Sequence, residues 1–482
     1  MVCKLISKHL CGVWNRDIVA NCNFPDKLKL ADITALHKKL EKVLKENYRN
    51  ISILPTVSKI YEKLMVGQIG KHMERHLSKY LCGFRKGYNT QYALMALIEK
   101  WKLTLEKKGY AGAVLLDLSK AFDTVHHELL NAKLNSYGFS ENALKVVNSY
   151  FRNRFQRTKV NSSYSSWADI LAGVPQGSVL GPLLFNVYIN DLFFAMNLTD
   201  PCNFADDTTP SACSDTLEDV LWRLENDVSI AVQWFESNYM KINVDKFKLL
   251  LMGNRTQMHF IKVNDEIVWE SKSGKLLGIE VDNKLTLNDH VENLCRKTGQ
   301  KMTAMKHLAK YMSVEKRRLL FKSFLESQFS YCPLIWMFHN RTLNSKINGL
   351  HERALRIVYD NYELSFDELL FIDSSYCSHH KNIQTLAIEL YKQKHGLSPD
   401  IVENVFERCD EPDDFKCVRN RPVCYGDNSL RSFGPRVWKM LPDSIKGSSS
   451  LDAFKDNVRK WCPSACSCRL CKLYIQRVGY ID

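Results

Sequence analysis

The chain of 482 residues has no apolar run long enough to cross a bilayer, and Met1-Val2-Cys3-Lys4 leads into mixed sequence rather than a secretory apolar core. The expectation is a reduced, intracellular setting, nuclear or cytoplasmic as a ribonucleoprotein, without a membrane partner. Internal repeats and low-complexity tracts are also absent, so neither a solenoid nor a disordered linker dominates. Clustered cysteine spacing is missing from most of the chain. The 16 cysteines mostly fall singly in apolar segments and read as small buried hydrophobes. Cys462, Cys466, Cys468 and Cys471 alone stand close together.

What is present resembles the composition of a folded globular protein, with 45% hydrophobic and 25% charged residues. At about 150 residues per domain the length suggests about three domains. Lysine and arginine number 67 against 53 acidic residues, a formal charge of +14. Such an excess favours a phosphate-rich partner, because cationic side chains release its condensed counterions. Charge alone does not separate nucleic acid from an anionic membrane.

Apolar spacing predicts helices from about Val57 to His76 and from Gln91 to Leu105. Ala113-Val114-Leu115-Leu116-Asp117-Leu118 reads as a short buried strand, and Cys202-Asn203-Phe204-Ala205 as a second that runs into Asp206-Asp207 and stops at Pro210. Asp215 and Glu218 have capping-box spacing ahead of a long amphipathic helix. Strand-like pieces follow at 247–252, 260–269 and 276–281. From Asp289 to about Tyr331 the pattern is helical again, with Ser313 as an N-cap, and from about Phe366 it is less regular. This order predicts an α+β fold with helices packed on one sheet face. Boundaries fall near 284 and 365.

Strand-end carboxylates at Asp117, Asp206 and Asp207 can converge on hard divalent cations, which prefer oxygen ligands and leave room for substrate phosphates. Two such ions can activate a 3′-hydroxyl and stabilise leaving pyrophosphate in an in-line displacement. An Asp-Asp pair alone is a weak signal. Its surroundings make it specific: Leu115-Leu116-Asp117-Leu118-Ser119-Lys120-Ala121-Phe122-Asp123-Thr124, then Ala172-Gly173-Val174-Pro175-Gln176-Gly177-Ser178-Val179-Leu180-Gly181-Pro182, then Phe204-Ala205-Asp206-Asp207-Thr208.

In that order the three segments closely resemble the central palm motifs of LINE-type (non-LTR) retrotransposon reverse transcriptases, particularly the jockey-like group. Tyr48-Arg49-Asn50-Ile51-Ser52-Ile53-Leu54 is similar to the fingers motif, and Gly83-Phe84-Arg85-Lys86-Gly87 to the segment after it. Asn243-Val244-Asp245-Lys246 is similar to the fourth palm motif, and Leu276-Leu277-Gly278 with Asp282 to the primer-grip hairpin. The likeness covers residues 24–365 well and extends loosely to about 460.

The resemblance implies a right-hand polymerase. Fingers and palm would occupy 24–284 (palm core about 110–284), a helical thumb 285–365, and a C-terminal region with a cysteine-rich tail 366–482. It implies RNA-directed DNA polymerase activity with an RNA template, a DNA primer or target, and dNTPs. Asp117, Asp206 and Asp207 would hold two magnesium ions, or manganese, with help from the Leu118 carbonyl. Phe122 would exclude a 2′-hydroxyl, while Gln176 and Gly177 approach the template and the incoming base pair. Arg49 would contact the triphosphate, with Lys39 or its neighbour Lys38 as a second cation, and Lys246 would protonate pyrophosphate. Asp123, six residues beyond Asp117, is expected past the strand end in a structural or capping role.

Asn50 stands where the family usually has proline, which would loosen the placement of Arg49. The four tail cysteines offer thiolates for zinc, though their spacing is not two clean pairs. The chain begins almost at the fingers, so the expected element lacks its endonuclease. The alternative is a catalytically inactive or co-opted relic that binds nucleic acid.

Overall fold

Helices at Thr56–Met73 and Thr90–Glu106 occupy the first two stretches whose apolar spacing predicted them. The second starts at Asn89, whose side chain accepts from the Tyr92 N–H, and it buries Leu94, Leu97, Ile98, Trp101 and Leu105. These elements belong to a computed structural model that describes residues 2–38, 41–409, 414–416 and 424–461.

The strands, in chain order, are β1 (Ala31–His37), β2 (Tyr48–Ile53), β3 (Tyr110–Leu115), β4 (Phe155–Val160), β5 (Ser163–Tyr164), β6 (Ala168–Asp169), β7 (Cys202–Phe204), β8 (Asp207–Thr209), β9 (Ser211–Ser214), β10 (Lys248–Met252), β11 (Phe260–Val263), β12 (Glu266–Trp269), β13 (Ser273–Leu276) and β14 (Ile279–Asp282). One sheet has the order β2-β1-β4-β5, with β6 also on β4. A second, β10-β3-β9, is antiparallel throughout and carries β3 at its centre. β3 is buried from Ala111 to Val114, and the Leu217–Ser237 helix packs over β3 and β9. Antiparallel strands backed by helices make this the expected α+β class.

Three local readings change. The N-cap of the Leu217–Ser237 helix is Thr216, not Asp215: Thr216 holds the extended backbone and its hydroxyl accepts from the Asp219 N–H. The strand-like piece 260–269 is a hairpin, β11–β12, folded at Asn264 with φ +52°. The region after Phe366 is helical, with helices at Phe366–Asp373, Ser378–Lys394, Leu430–Met440 and Leu451–Lys460. Its periodicity was masked because the Ser378–Lys394 helix buries His379, His380, Asn382, Gln384, Glu389 and Gln393 beside its aliphatic residues. The helices expected after Asp289 are present, at Asn288–Ala309 and, with Ser313 at its N-cap, Val314–Leu320.

One hydrophobic cluster runs from Trp101 and Leu105 through the β13–β14 hairpin to Trp336, Leu390 and Trp438. A second fills the space between β3, the Leu217–Ser237 helix and the Gly181–Ile189 helix. Cys82, Cys202, Cys295, Cys332 and Cys377 are buried and in no disulfide among the described residues. Among the described residues no helix is long and apolar enough to cross a membrane.

Candidate active site

The chain reverses between β7 and β8 at Phe204-Ala205-Asp206-Asp207. Ala205 adopts φ +59°, a left-handed conformation that costs a side-chain-bearing residue about 1–2 kcal/mol. Asn203 offsets that cost. It is fully buried, and its Nδ2 donates to the Ala205 carbonyl at 3.0 Å, Thr208 Oγ1 at 2.9 Å and the Asp207 carbonyl at 3.3 Å. From below, Gly83 presses on the turn: a Cβ there would lie 2.4 Å from the Ala205 nitrogen. Asn186 Nδ2 donates to the Gly83 carbonyl at 2.7 Å, and the Cys82 N–H donates to the Asn203 carbonyl at 3.0 Å. The hairpin is thus clamped so that two adjacent carboxylates project from its tip.

Beyond the end of β3, the Leu116 N–H donates to the Thr208 carbonyl at 3.1 Å and brings Asp117 alongside the hairpin. The other side of this segment is tied to residues 241–243. The Ser119 N–H donates to the Lys241 carbonyl at 2.8 Å, and the Asn243 N–H donates to the Asp117 carbonyl at 3.1 Å. The Leu118 carbonyl takes part in neither bond. Lys246 Nζ lies 3.2 Å from Asp117 Oδ2, both groups being substantially exposed. Packing around the Asp207 carboxyl, with the charges of Asp206 and Asp117, pushes that group up to about 6. Desolvation is the larger cause, and the like charges of Asp206 and Asp117 add to it.

The all-oxygen donor set of Asp117, Asp206 and Asp207 fits a hard divalent cation. Among the described residues no three His, Cys, Asp or Glu side chains are grouped so as to hold a metal ion.

Phe122 stacks on Phe185 with ring centres 4.3 Å apart and meets Phe84 edge-on at 5.9 Å. Its carbonyl accepts from the Val174 N–H at 2.8 Å, which couples it to the Gln176 loop. Gln176 Nε2 donates to Asp123 Oδ1 at 2.9 Å, and the Gln176 carbonyl accepts from the Ser52 N–H at 2.7 Å. Gly177 has φ +122°, and a Cβ there would lie 2.5 Å from the Ser52 carbonyl oxygen. This joint fixes β2, and hence Arg49, against the Gln176 loop.

Arg49 is exposed and has no side-chain partner among the described residues. Asn50 sits opposite Ala35 in the β1–β2 ladder, so strand pairing fixes the backbone where the family has proline. Lys38 is exposed and donates its N–H to the Asn47 carbonyl. Lys39 and Cys462, Cys466, Cys468 and Cys471 lie outside the described residues.

Asn203, Asn186 and Ser52 escaped the sequence reading. Asn203 alone carried a usable signal, as an amide inside an otherwise apolar strand. Asp123 does have a structural role, but as the acceptor that orients Gln176.

Residues 36–281 match the family model described as reverse transcriptase (RNA-dependent DNA polymerase). The probable RNA-directed DNA polymerase from transposon BS of Drosophila melanogaster is 30% identical over 356 residues, which are 70% of this chain and 39% of that protein. The RNA-directed DNA polymerase from mobile element jockey of the same species is 28% identical over 69% of this chain and 38% of that protein. The chain therefore spans about two-fifths of the length of these relatives. A solved structure of apo telomerase from Candida tropicalis aligns with a TM-score of 0.44 and 12% identity, covering 80% of this chain and 71% of that one.

Proposed function

Since the chain belongs to the reverse transcriptase family, we propose that it extends a primer 3′-end with deoxynucleotides on an RNA template, as part of a jockey-like non-LTR retrotransposon. The observation that carries this reading is the Asp206-Asp207 hairpin tip held against Asp117 by the Leu116–Thr208 hydrogen bond.

In this reading Asp117, Asp206 and Asp207, with the Leu118 carbonyl, hold two magnesium-type cations. When bound, such ions neutralise charge on the attacking 3′-oxygen and the leaving pyrophosphate. The protein does the positioning. Arg49 presents a planar fork of donors suited to the triphosphate. Lys246, now paired with Asp117, exchanges that partner for the substrate and protonates the leaving pyrophosphate. Phe122, immobilised against Phe185, leaves no room for a 2′-hydroxyl. Gln176, oriented by Asp123, lies along the template and the nascent base pair, with Gly177 allowing close approach. Residues 24–284 serve as fingers and palm, 285–365 as thumb, and 366–482 as the C-terminal region.

Primer extension with magnesium on a primed RNA template tests this reading. Incorporation of dNTPs is expected, with rNTPs used poorly and Phe122→Val narrowing the difference. A strong rNTP preference in the unmodified protein would overturn it.

A further inference from the structure

The β4–β6 segment builds a surface feature that none of the roles above uses. Arg157 on β4 lies between two rings, 4.1 Å from the Tyr164 centre and 4.6 Å from that of Trp167. Its guanidinium is held from a third side by Asp32 Oδ1 at 2.7 Å, across the parallel β1–β4 pairing. Lys159 Nζ stands 5.4 Å from the Tyr164 ring. Tyr164 is 46% exposed and Trp167 43%. The arginine thus stiffens two aromatic rings that still present uncovered surface. Every residue from Asn161 to Asp169 is exposed, so the rings stand clear of the body.

Exposed aromatics normally carry an energetic cost that burial would remove, and here they are braced in place instead. With Arg154 buried, the surface between Arg152 and Leu171 carries Arg152, Arg157 and Lys159 against the single acid Asp169 of that stretch. Rigid rings flanked by cations form the usual platform for unpaired nucleic-acid strands, since every base has a face to stack and every phosphate a charge to meet. A protein partner would be served by the rings but has no need of the charge imbalance.

The position fits as well. β4 lies next to β1, which pairs with the Arg49 strand β2, so the platform is on the same sheet, about 10 Å from β2 at about 4.8 Å per strand. From Trp167 the chain runs through β6 directly to Gln176. The geometry points to Tyr164, Arg157 and Trp167 as a stacking platform for the unpaired RNA template strand before it enters the site.

This inference rests on the template-copying reading, and two measurements separate them. The first is anisotropy of fluorescein-labelled single-stranded oligo(U) with the full chain, free of any polymerisation. The combined Tyr164→Ala and Trp167→Ala variant should bind between about five- and a hundredfold more weakly, with an unchanged thermal melt, while Tyr164→Phe with Trp167→Phe keeps most of the affinity. The second is primer extension on RNA templates with a long 5′ overhang or with none beyond the next base. The alanine variant should raise the template KM on the long overhang only. Equal oligo(U) binding by wild type and alanine variant, or equal losses on both templates, would overturn the platform. Failure of wild type to extend any primer would overturn the polymerase reading, while the binding result would still decide whether the rings hold unpaired RNA.

Discussion

The carboxylate hairpin and the helices after Phe366 handle polar groups in opposite ways. At the hairpin, charge stays near the surface and the distortion is in the backbone: Ala205 is left-handed, Gly83 is pressed beneath it, and Asp207 is raised to about 6 by its surroundings. In the C-terminal helices the backbone is regular and the polar groups are buried. His379 and His380 are almost inaccessible, His339 stacks on His379 at 4.6 Å, and Asp373 accepts from Arg318 and Tyr359 in the core. The carboxylates at the hairpin tip sit on a locally strained turn. Polar groups that only fill a core are neutral or paired.

Substitutions should separate the two regions. The largest effect is expected from Asp207→Asn, which should lower dNTP incorporation by about a thousandfold or more at an unchanged melting temperature. A matching fall in stability would mean that the carboxylate is structural. Gly83→Ala drives a Cβ into the Ala205 backbone. It should cost about 1–3 kcal/mol in denaturant unfolding and lower incorporation per folded molecule, because the carboxylates shift with the turn. Full activity in that variant would show that the clamp is dispensable.

Leu390→Ala, in the fully buried part of the C-terminal helices, should cost about 2–5 kcal/mol while leaving the rate per folded molecule unchanged. The smallest effect is the response to acid. Burial lowers His339 to about 4 and His351 to about 3, so both remain neutral in the fold. An unfolded chain takes up these protons as pH falls through 6.5, whereas the folded chain does so only near those lower values. Their contribution to stability is therefore intact above 6.5 and is lost as pH falls toward 4 and then 3. His351→Phe should flatten that slope in urea titrations at several pH values; an unchanged slope would assign the acid response to other groups.

The same contrast explains what could be read from the chain. Asp117, Asp206, Asp207 and Gln176 stand in short, ordered motifs, which is why the sequence singled them out. The helix at Thr90–Glu106 was legible because Leu94, Leu97, Ile98, Trp101 and Leu105 keep their spacing. What supports the motifs was not. Asn186 and Ser52 act through contacts between segments far apart in the chain, and nothing in their own neighbourhoods announces the partner; Asn203 bonds to residues just ahead of it, and its one signal was an amide inside an apolar strand. The Ser378–Lys394 helix escaped for a related reason: its buried face is part histidine and amide, which binary apolar patterning scores as surface.

The central claim is that the Asp206-Asp207 tip, held against Asp117, carries RNA-templated DNA synthesis. The most direct test is magnesium-dependent dNTP incorporation on a primed RNA template by wild type and Asp206→Ala at equal folded concentration. The account predicts synthesis by wild type and a loss of about a thousandfold or more in the variant, with the same melting curve. Equal synthesis by the two proteins would contradict it.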